Sequence, residues 1–414
     1  MKKITPIFTL SLLFGLLIIL PHGLWSQLVI GQYEDEAPFR TWNMWSTKTA
    51  SSLALGNTHS ILTSDCSVAL SNPALLLNLP PITFTLSSSF ETASFFKYAF
   101  VNTGVIDTEK SAFHGFFALD FAGISVRLNE WAIALNWSQV ESYERPKAEQ
   151  QYQWRGQVYY FLKLSQMGSL RNLNFSISRM LTKRLSAGIG FNFVYGNFEK
   201  LVTEKWVMDD ITITDNKTME FSGFCVNGGI SLWLTERFHV AASFRTPYVK
   251  KSESQSLLRY YSPAGNTDIK TEALSEDKFK MPLIIGFGSS YKISEKLRGT
   301  SEFTFYNWSQ YSIDYFGEHI ERSFKNILKI GLGFEHVSSV KLGSKNIITP
   351  FRVGLSYDPQ PMKEYNSSYF YFTLGSGFQF GRFILDIGSF VGLESGSGNS
   401  LKATKVAGSL SYQL

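Results

Sequence analysis

The most constraining feature of this chain is a two-residue rhythm that starts near residue 82 and persists to its end. Leu185, Ala187, Ile189, Phe191, Phe193 and Tyr195 fall on one side of an extended backbone, with Ser186, Gly188, Gly190, Asn192 and Gly196 on the other. Trp131, Ile133, Leu135 and Trp137 alternate in the same way with Ala132, Ala134, Asn136 and Ser138. Near the end Phe351, Val353, Leu355 and Tyr357 alternate with Arg352, Gly354, Ser356 and Asp358. Side chains of a strand point alternately to its two faces, so each run reads as a strand with one greasy face. A soluble sandwich would wet the opposite face with charge, yet here that face carries Gly, Ser, Ala and Asn. Greasy runs of about ten residues are long enough to cross a bilayer when tilted, and a sheet in lipid has to close because an open edge finds no hydrogen-bond partner there. Mean hydropathy is −0.04. It is neutral because outward Phe, Leu and Ile are averaged one for one against inward Gly, Ser and Asn. The value excludes a multi-span helical protein, not a membrane protein. Aromatic residues make up 15% of the chain and charged residues only 18%, which argues against disorder and supplies rings for a lipid-facing wall.

The connections alternate too. Tight turns are expected at Asn129-Glu130, Thr182-Lys183-Arg184, Thr235-Glu236, Ser294-Glu295 and Gly381-Arg382, with a longer one near 338–346. Long polar links are expected near 90–112, 145–169, 198–217, 251–278, 312–323, 359–366 and 393–400. Short turns at one end and long loops at the other describe a transmembrane β-barrel, and the segments from Ile82 onward number about 14, an even count as in bacterial barrels. Trp131, Trp137, Trp233 and Trp308, near strand ends, suit the interfacial aromatic girdles of such a barrel.

The N-terminus has a different character. Lys2 and Lys3 precede an apolar stretch from about Ile7 to Leu20, Pro21 and Gly23 break it, and Ser26-Gln27 suits cleavage. Residues 1–26 thus read as a secretory signal. Without its two lysines, the 39 Lys and Arg fall to 37 against 34 acids, a net charge of about +3 that is too scattered for a nucleic-acid binder. Residues 27–79 form a second segment, with small residues between Thr47 and Leu62 able to make short helices, and 80–414 form the barrel. A moderately apolar segment ahead of a closed barrel either hangs in the periplasm or fills the lumen, and its apolarity favours filling.

Several stretches together resemble the FadL/TodX (OMPP1) family of outer-membrane transporters. They are Asp65 with Asn72-Pro73-Ala74-Leu75, Asn227 to Leu232, His239 to Pro247, Met281-Pro282-Leu283, Tyr306 to Tyr311, and Pro350 to Pro359. Leu75 stands where the family commonly has Gly. The last strand places Tyr412 two residues before Leu414, which is similar to the terminal signal of outer-membrane barrels, although those most often end in Phe. The resemblance implies an all-β closed antiparallel barrel with an N-terminal hatch, in which Asp65, Asn72, Pro73 and Ala74 form the gate. It also implies passive uptake of a hydrophobic small molecule, a long-chain fatty acid or an aromatic hydrocarbon, with no cofactor. Expected partners are outer-membrane lipid and lipopolysaccharide and, during insertion, the barrel-assembly machinery, with the chain itself a monomer.

For ligand capture the long links offer Phe95 and Phe96, then Tyr160, Phe161, Leu162 and Leu164, although such residues often only pack against each other or extend a strand. Lys163 and Arg245 are the cations placed to meet a carboxylate. Arg127, Lys329 and Arg352 can face the lumen too, where pairing with Asp120, Glu302, Glu335 or Asp386 would make them structural. Strand glycines such as Gly123, Gly188 and Gly190 mark either kinks in the wall or close approach of the hatch backbone. Two cysteines, Cys66 and Cys225, and six histidines leave little for a metal cluster. There is no G-x-S-x-G motif, so a barrel hydrolase is disfavoured. The competing reading is a FadL-like barrel that serves as a secretion-system or surface-attachment scaffold.

Overall fold

The computed structural model describes residues 49–61, 65–93, 106–109, 115–321, 324–342, 345–363, 367–396 and 402–414. Fourteen antiparallel strands close into a barrel. Strand β1 (Ile82–Ala93) pairs with β3 (Gly115–Leu128), followed by β4 (Trp131–Ser142), β6 (Gln157–Thr182), β7 (Leu185–Trp206) and β8 (Ile211–Trp233). The seventh strand is β9 (Phe238–Arg245) continued by β10 (Tyr248–Ser262). The eighth is β11 (Thr267–Met281) continued by β12 (Ile284–Lys292). Pro247 and Pro282, which lack an N–H, fall at the two breaks. β13 (Leu297–Tyr306), β16 (Ile327–Leu342), β17 (Lys345–Pro359), β18 (Ser368–Phe380), β19 (Phe383–Ser395) and β20 (Lys402–Gln413) complete the ring, and β20 pairs with β1 in an eleven-residue register from Thr83↔Gln413 to Ala93↔Ala403. The ring's two chain ends meet on one rim, where Leu414 donates to the Ile82 carbonyl at 2.9 Å.

The period-two reading gives the faces correctly. Phe84, Leu135, Phe175, Phe193, Phe244, Phe287, Phe303, Phe334, Phe372 and Val406 are all exposed, and strands in register stack them into an apolar outer belt. Their inward neighbours Thr85, Asn136, Asn174, Asn192 and Glu302 are buried. Among the described residues no helix is long and apolar enough to cross a membrane. The barrel crosses with strands instead.

Three expectations need correcting. The stretches near 145–169, 198–217 and 251–278 are mostly strand rather than loop, because β6, β7, β8, β10 and β11 run on past the belt as hairpins and β5 (Arg145–Trp154) joins them. Their alternation was masked because beyond the membrane polar residues fall on both faces of β7, β8, β10 and β11, while apolar ones fall on both faces of β6 at 158–164. The turn near 338–346 is shorter than expected, since β16 and β17 run to Leu342 and from Lys345. Trp308 is no girdle residue: it lies in a short 3₁₀ turn (Trp308–Gln310), 1% exposed, against Tyr306, Tyr311 and Phe324.

Residues 49–61 and 65–79 lie inside the barrel. They form helix α1 (Ala50–Ala54) and 3₁₀ turns at Cys66–Leu70 and Pro73–Asn78. Leu53, Leu55, Leu75, Leu76 and Leu79 are at most 2% exposed, and burying each such side chain is favourable by about 1.5–3 kcal/mol. That burial holds a segment with little regular structure of its own.

Candidate functional site

The lumen is the candidate site, and the internal segment decides its shape. Asp65 caps the first 3₁₀ turn: one carboxylate oxygen accepts from the Ser67 N–H at 2.9 Å and the other from the Ser51 hydroxyl at 3.0 Å. Asn72 caps the second turn, accepting from the Ala74 N–H at 3.2 Å, while its amide donates to the Ile230 and Ala242 carbonyls at 3.2 and 3.4 Å. Ser186 donates to the Ala74 carbonyl at 3.0 Å. All four residues of the expected gate, Asp65, Asn72, Pro73 and Ala74, are buried against the wall. The strand glycines explain how they fit. A Cβ on Gly188 would lie 2.7 Å from the Pro73 carbonyl carbon and the Ala74 nitrogen, and one on Gly354 would lie 2.2 Å from the Gly56 nitrogen. Gly188 therefore permits close backbone approach. Gly123 and Gly190 instead make room for Asn136 and Asn227 on neighbouring strands.

An amide ladder ties four wall strands to the internal segment. Asn136 donates to Asn174 (3.1 Å), Asn174 and Asn172 donate to Asn192 (3.0 Å each), Asn192 donates to Asn227 (2.8 Å), and Asn227 reaches the Ala69 carbonyl at 2.9 Å. Away from water such side chains need partners, and these supply one another.

Charged side chains inside the barrel are paired. Arg352 reaches Glu335 at 2.8 Å and Asp386 at 2.5 Å, Lys329 reaches Asp358 at 3.1 Å, and Lys405 reaches Asp120 at 3.1 Å and Glu91 at 3.5 Å. Glu302 accepts from the His59 and Ser60 backbone N–H groups at 2.8 Å. Arg127 donates to the Leu77 carbonyl at 3.0 Å, and Arg245, almost fully buried, donates to the Leu70 carbonyl. The lumen cations thus either pair with lumen carboxylates or, as Arg127 and Arg245 do, hold the internal segment. Among them are a gap of about 50 Å³ touching His59, Glu91, Asp120, Glu302, Lys329 and Lys405, and a second of about 30 Å³ beside Arg245. Sites for small organic molecules usually run to about 300–1,000 Å³. Asp120 turns into the larger gap because the β1–β3 register shifts at Ser87/Ser88 and both Asp120 and Phe121 face inward.

Beside this polar layer lies an apolar cluster, including Tyr143, Phe198, Phe221, Phe279, Trp308 and Phe324. Lys250 sits within it, its ammonium 4.1 Å from the Phe221 ring centre, 4.4 Å from that of Phe279, and 3.2 Å from the Tyr143 hydroxyl. The sequence reading did not single out Lys250, Glu91 or Lys405. Lys405 precedes Val406 in a legible alternation, but Glu91 fell in a stretch expected to be a link, and it meets Lys405 only because β20 closes on β1.

The expected capture residues lie elsewhere. Tyr160, Phe161 and Leu162 are half-buried on the upper part of β6, Lys163 there is exposed, and Tyr160 packs its ring 4.8 Å from Trp206. Leu164 belongs to the same strand. Phe95 and Phe96 fall outside the described residues. The structure therefore does not bring Lys163 and Arg245 together. Cys66 and Cys225 are both buried free thiols.

A closed, lipid-belted 14-strand barrel filled by its own N-terminal segment defines an outer-membrane β-barrel protein of FadL-like fold. A family model described as BamG matches residues 29–400, and the chain belongs to the BamG family. Among solved structures it is similar to a FadL homologue from Pseudomonas aeruginosa, with a TM-score of 0.62 and 13% identity over 89% of this chain and 99% of that one. The Pseudomonas putida toluene transporter TodX gives 0.60 and 12% over 90% and 99%. The Ralstonia pickettii toluene transporter TbuX gives 0.59 and 14% over 89% and 98%. No curated protein sequence matches.

Proposed function

We propose that this protein is a membrane-embedded scaffold: a sealed FadL-like barrel that anchors a protein assembly at the outer membrane and presents its tall hairpins to a partner. The observation that carries the reading is the filled, charged lumen. A gap of about 50 Å³ bordered by Glu91, Asp120, Glu141, Glu302 and Asp358 against Lys329, Lys405 and His59 is too small for a fatty acyl chain and wrong in charge for a carboxylate. Buried pairs such as Arg352 with Glu335 and Asp386 also resist rearrangement, because separating them leaves uncompensated charge. No catalytic role is assigned.

A second reading is passive uptake of a hydrophobic compound, with residues 27–79 as a hatch gated at Asp65 and Asn72-Pro73-Ala74. Two observations favour it: the likeness of fold to proteins described as toluene transporters, and the buried apolar cluster around Trp308, a greasy environment beside the polar layer.

The two readings separate in one experiment. Influx of a labelled fatty acid and of a labelled alkylbenzene is measured in cells with and without the gene, alongside cross-linking of the native membrane. Unchanged influx with a stoichiometric protein partner is the expected result. Influx that falls on deletion and returns on complementation would overturn the scaffold reading.

A further inference from the structure

Beyond the belt, the barrel wall continues as a free-standing sheet in the order β5–β6–β7–β8–β10–β11. Its two sides end differently. On the β5 side, β2 (Ile106–Glu109) pairs with Gln150 to Gln153. On the other side, β11 pairs with β10 along all of Thr267–Met281 without a register break, but beyond β10 it meets only the short strand β14 (Ser312–Tyr315), at Lys278 and Phe279. At Asp277 the turn after β14 still touches it, the Phe316 N–H donating to the Asp277 carboxylate at 2.8 Å; among the described residues no strand pairs with the outer edge of β11 from Thr267 to Glu276. At about 3.4 Å per residue this is an open edge of roughly 35 Å. Residues 268–274 are all exposed, Leu274 at 74% and Ile269 at 55%.

Proteins usually blunt such an edge with charged side chains, above all Lys, with a proline or a bulge, or with a covering loop. This one has no proline between Pro263 and Pro282, and its pairing with β10 is regular. What it carries is charge of mainly one sign. On the face shared by alternate residues stand Asp268, Lys270, Glu272, Leu274 and Glu276. Asp268 is taken by Arg259 at 2.8 Å, and Glu272 accepts from Gln255 at 2.6 Å. The other face shows Ile269, Thr271 and Ala273.

We propose that the open edge of β11, residues 267–276, is a docking site for an extended segment of a partner protein that adds as one further antiparallel strand, with basic side chains opposite Glu272 and Glu276 and apolar ones opposite Ile269 and Ala273. Backbone pairing supplies the attraction and the alternating face supplies the choice of partner. The inference rests on the scaffold reading and locates its docking surface.

The test uses the full-length protein in its own outer membrane. The photo-cross-linker p-benzoylphenylalanine replaces Ile269, Thr271 or Ala273 on the edge and, as a control, Glu253 on the interior strand β10. The adducts are mapped by mass spectrometry. The expected result is one protein adduct at the edge positions and none at Glu253. The joined peptide should shift in register by two residues when the probe does, and should carry alternate Lys or Arg. Glu272→Lys with Glu276→Lys should lower its yield at least tenfold while the barrel still migrates as folded. An adduct with a second copy of this chain, with lipopolysaccharide, or with a helical segment would overturn the proposal, as would no adduct at the edge. If a stoichiometric partner is present but its cross-links map to other hairpins, the edge assignment fails and the scaffold reading stands. If no partner is found at any position, both fail.

Discussion

Arg352 shows how a single side chain carries weight in this lumen. It sits between Glu335 and Asp386, with all three nearly excluded from water. Replacing Arg352 with Met strands two carboxylates, and breaking a buried pair in this way costs about 3–5 kcal/mol. The triple change Arg352→Met, Glu335→Leu and Asp386→Leu removes all three charges and should recover most of that loss. Urea unfolding in detergent, read by the heat-dependent shift in gel mobility, compares the three proteins. A single variant as stable as the triple would show that the pair contributes little. The strand position of these residues was legible in the sequence: Arg352 alternates with Phe351 and Val353, so it had to face inward. Its partners were legible only as two of four candidate acids, because Glu335 lies on the adjacent β16 and Asp386 two strands away on β19, and only the barrel's register sets all three together. Gly354 is similar. Its inward parity was plain, whereas its purpose, admitting the Gly56 backbone, depends on a segment about 300 residues earlier.

At the scale of elements, the hairpins repay attention. The same alternation that marks β7 within the membrane becomes ambiguous above it, where Glu199 and Lys205 fall on the side that was greasy and Lys200 and Glu204 on the other. Those stretches read as loops because the contrast between faces comes from lipid, and beyond the membrane both faces meet water. Strand length is therefore the least legible property of this fold, while strand number and order were legible throughout. The consequence is modular. Removing residues 257–272 and rejoining β10 to β11 with Asn-Gly takes away only hairpin that stands above the belt. The shortened protein should insert and show the same folded gel mobility, at a yield within about twofold of the full chain. A shortened protein that remains unfolded would mean that this hairpin is needed for closure rather than for display.

For the whole molecule, the internal segment governs permeability. Ion pairs and the amide ladder cross the lumen, and the two gaps described among them, about 50 and 30 Å³, hold a few water molecules, so the purified protein in a planar bilayer should pass almost no current. Deleting residues 49–79 removes the filling, and a 14-strand ring then encloses an aqueous path, so single-channel conductance should rise at least tenfold. Intact protein with a large, stable conductance would contradict a sealed lumen. The seam between β1 and β20 has a further consequence, this time for manufacture. Eleven residue pairs join the first strand to the last, and without the last strand β1 and β19 keep edges whose unpaired amides each cost several kcal/mol in hydrocarbon. A chain without β20 is thus not a slightly weaker barrel but one with no closed form. Losing this strand is as severe as losing one from the middle of the ring.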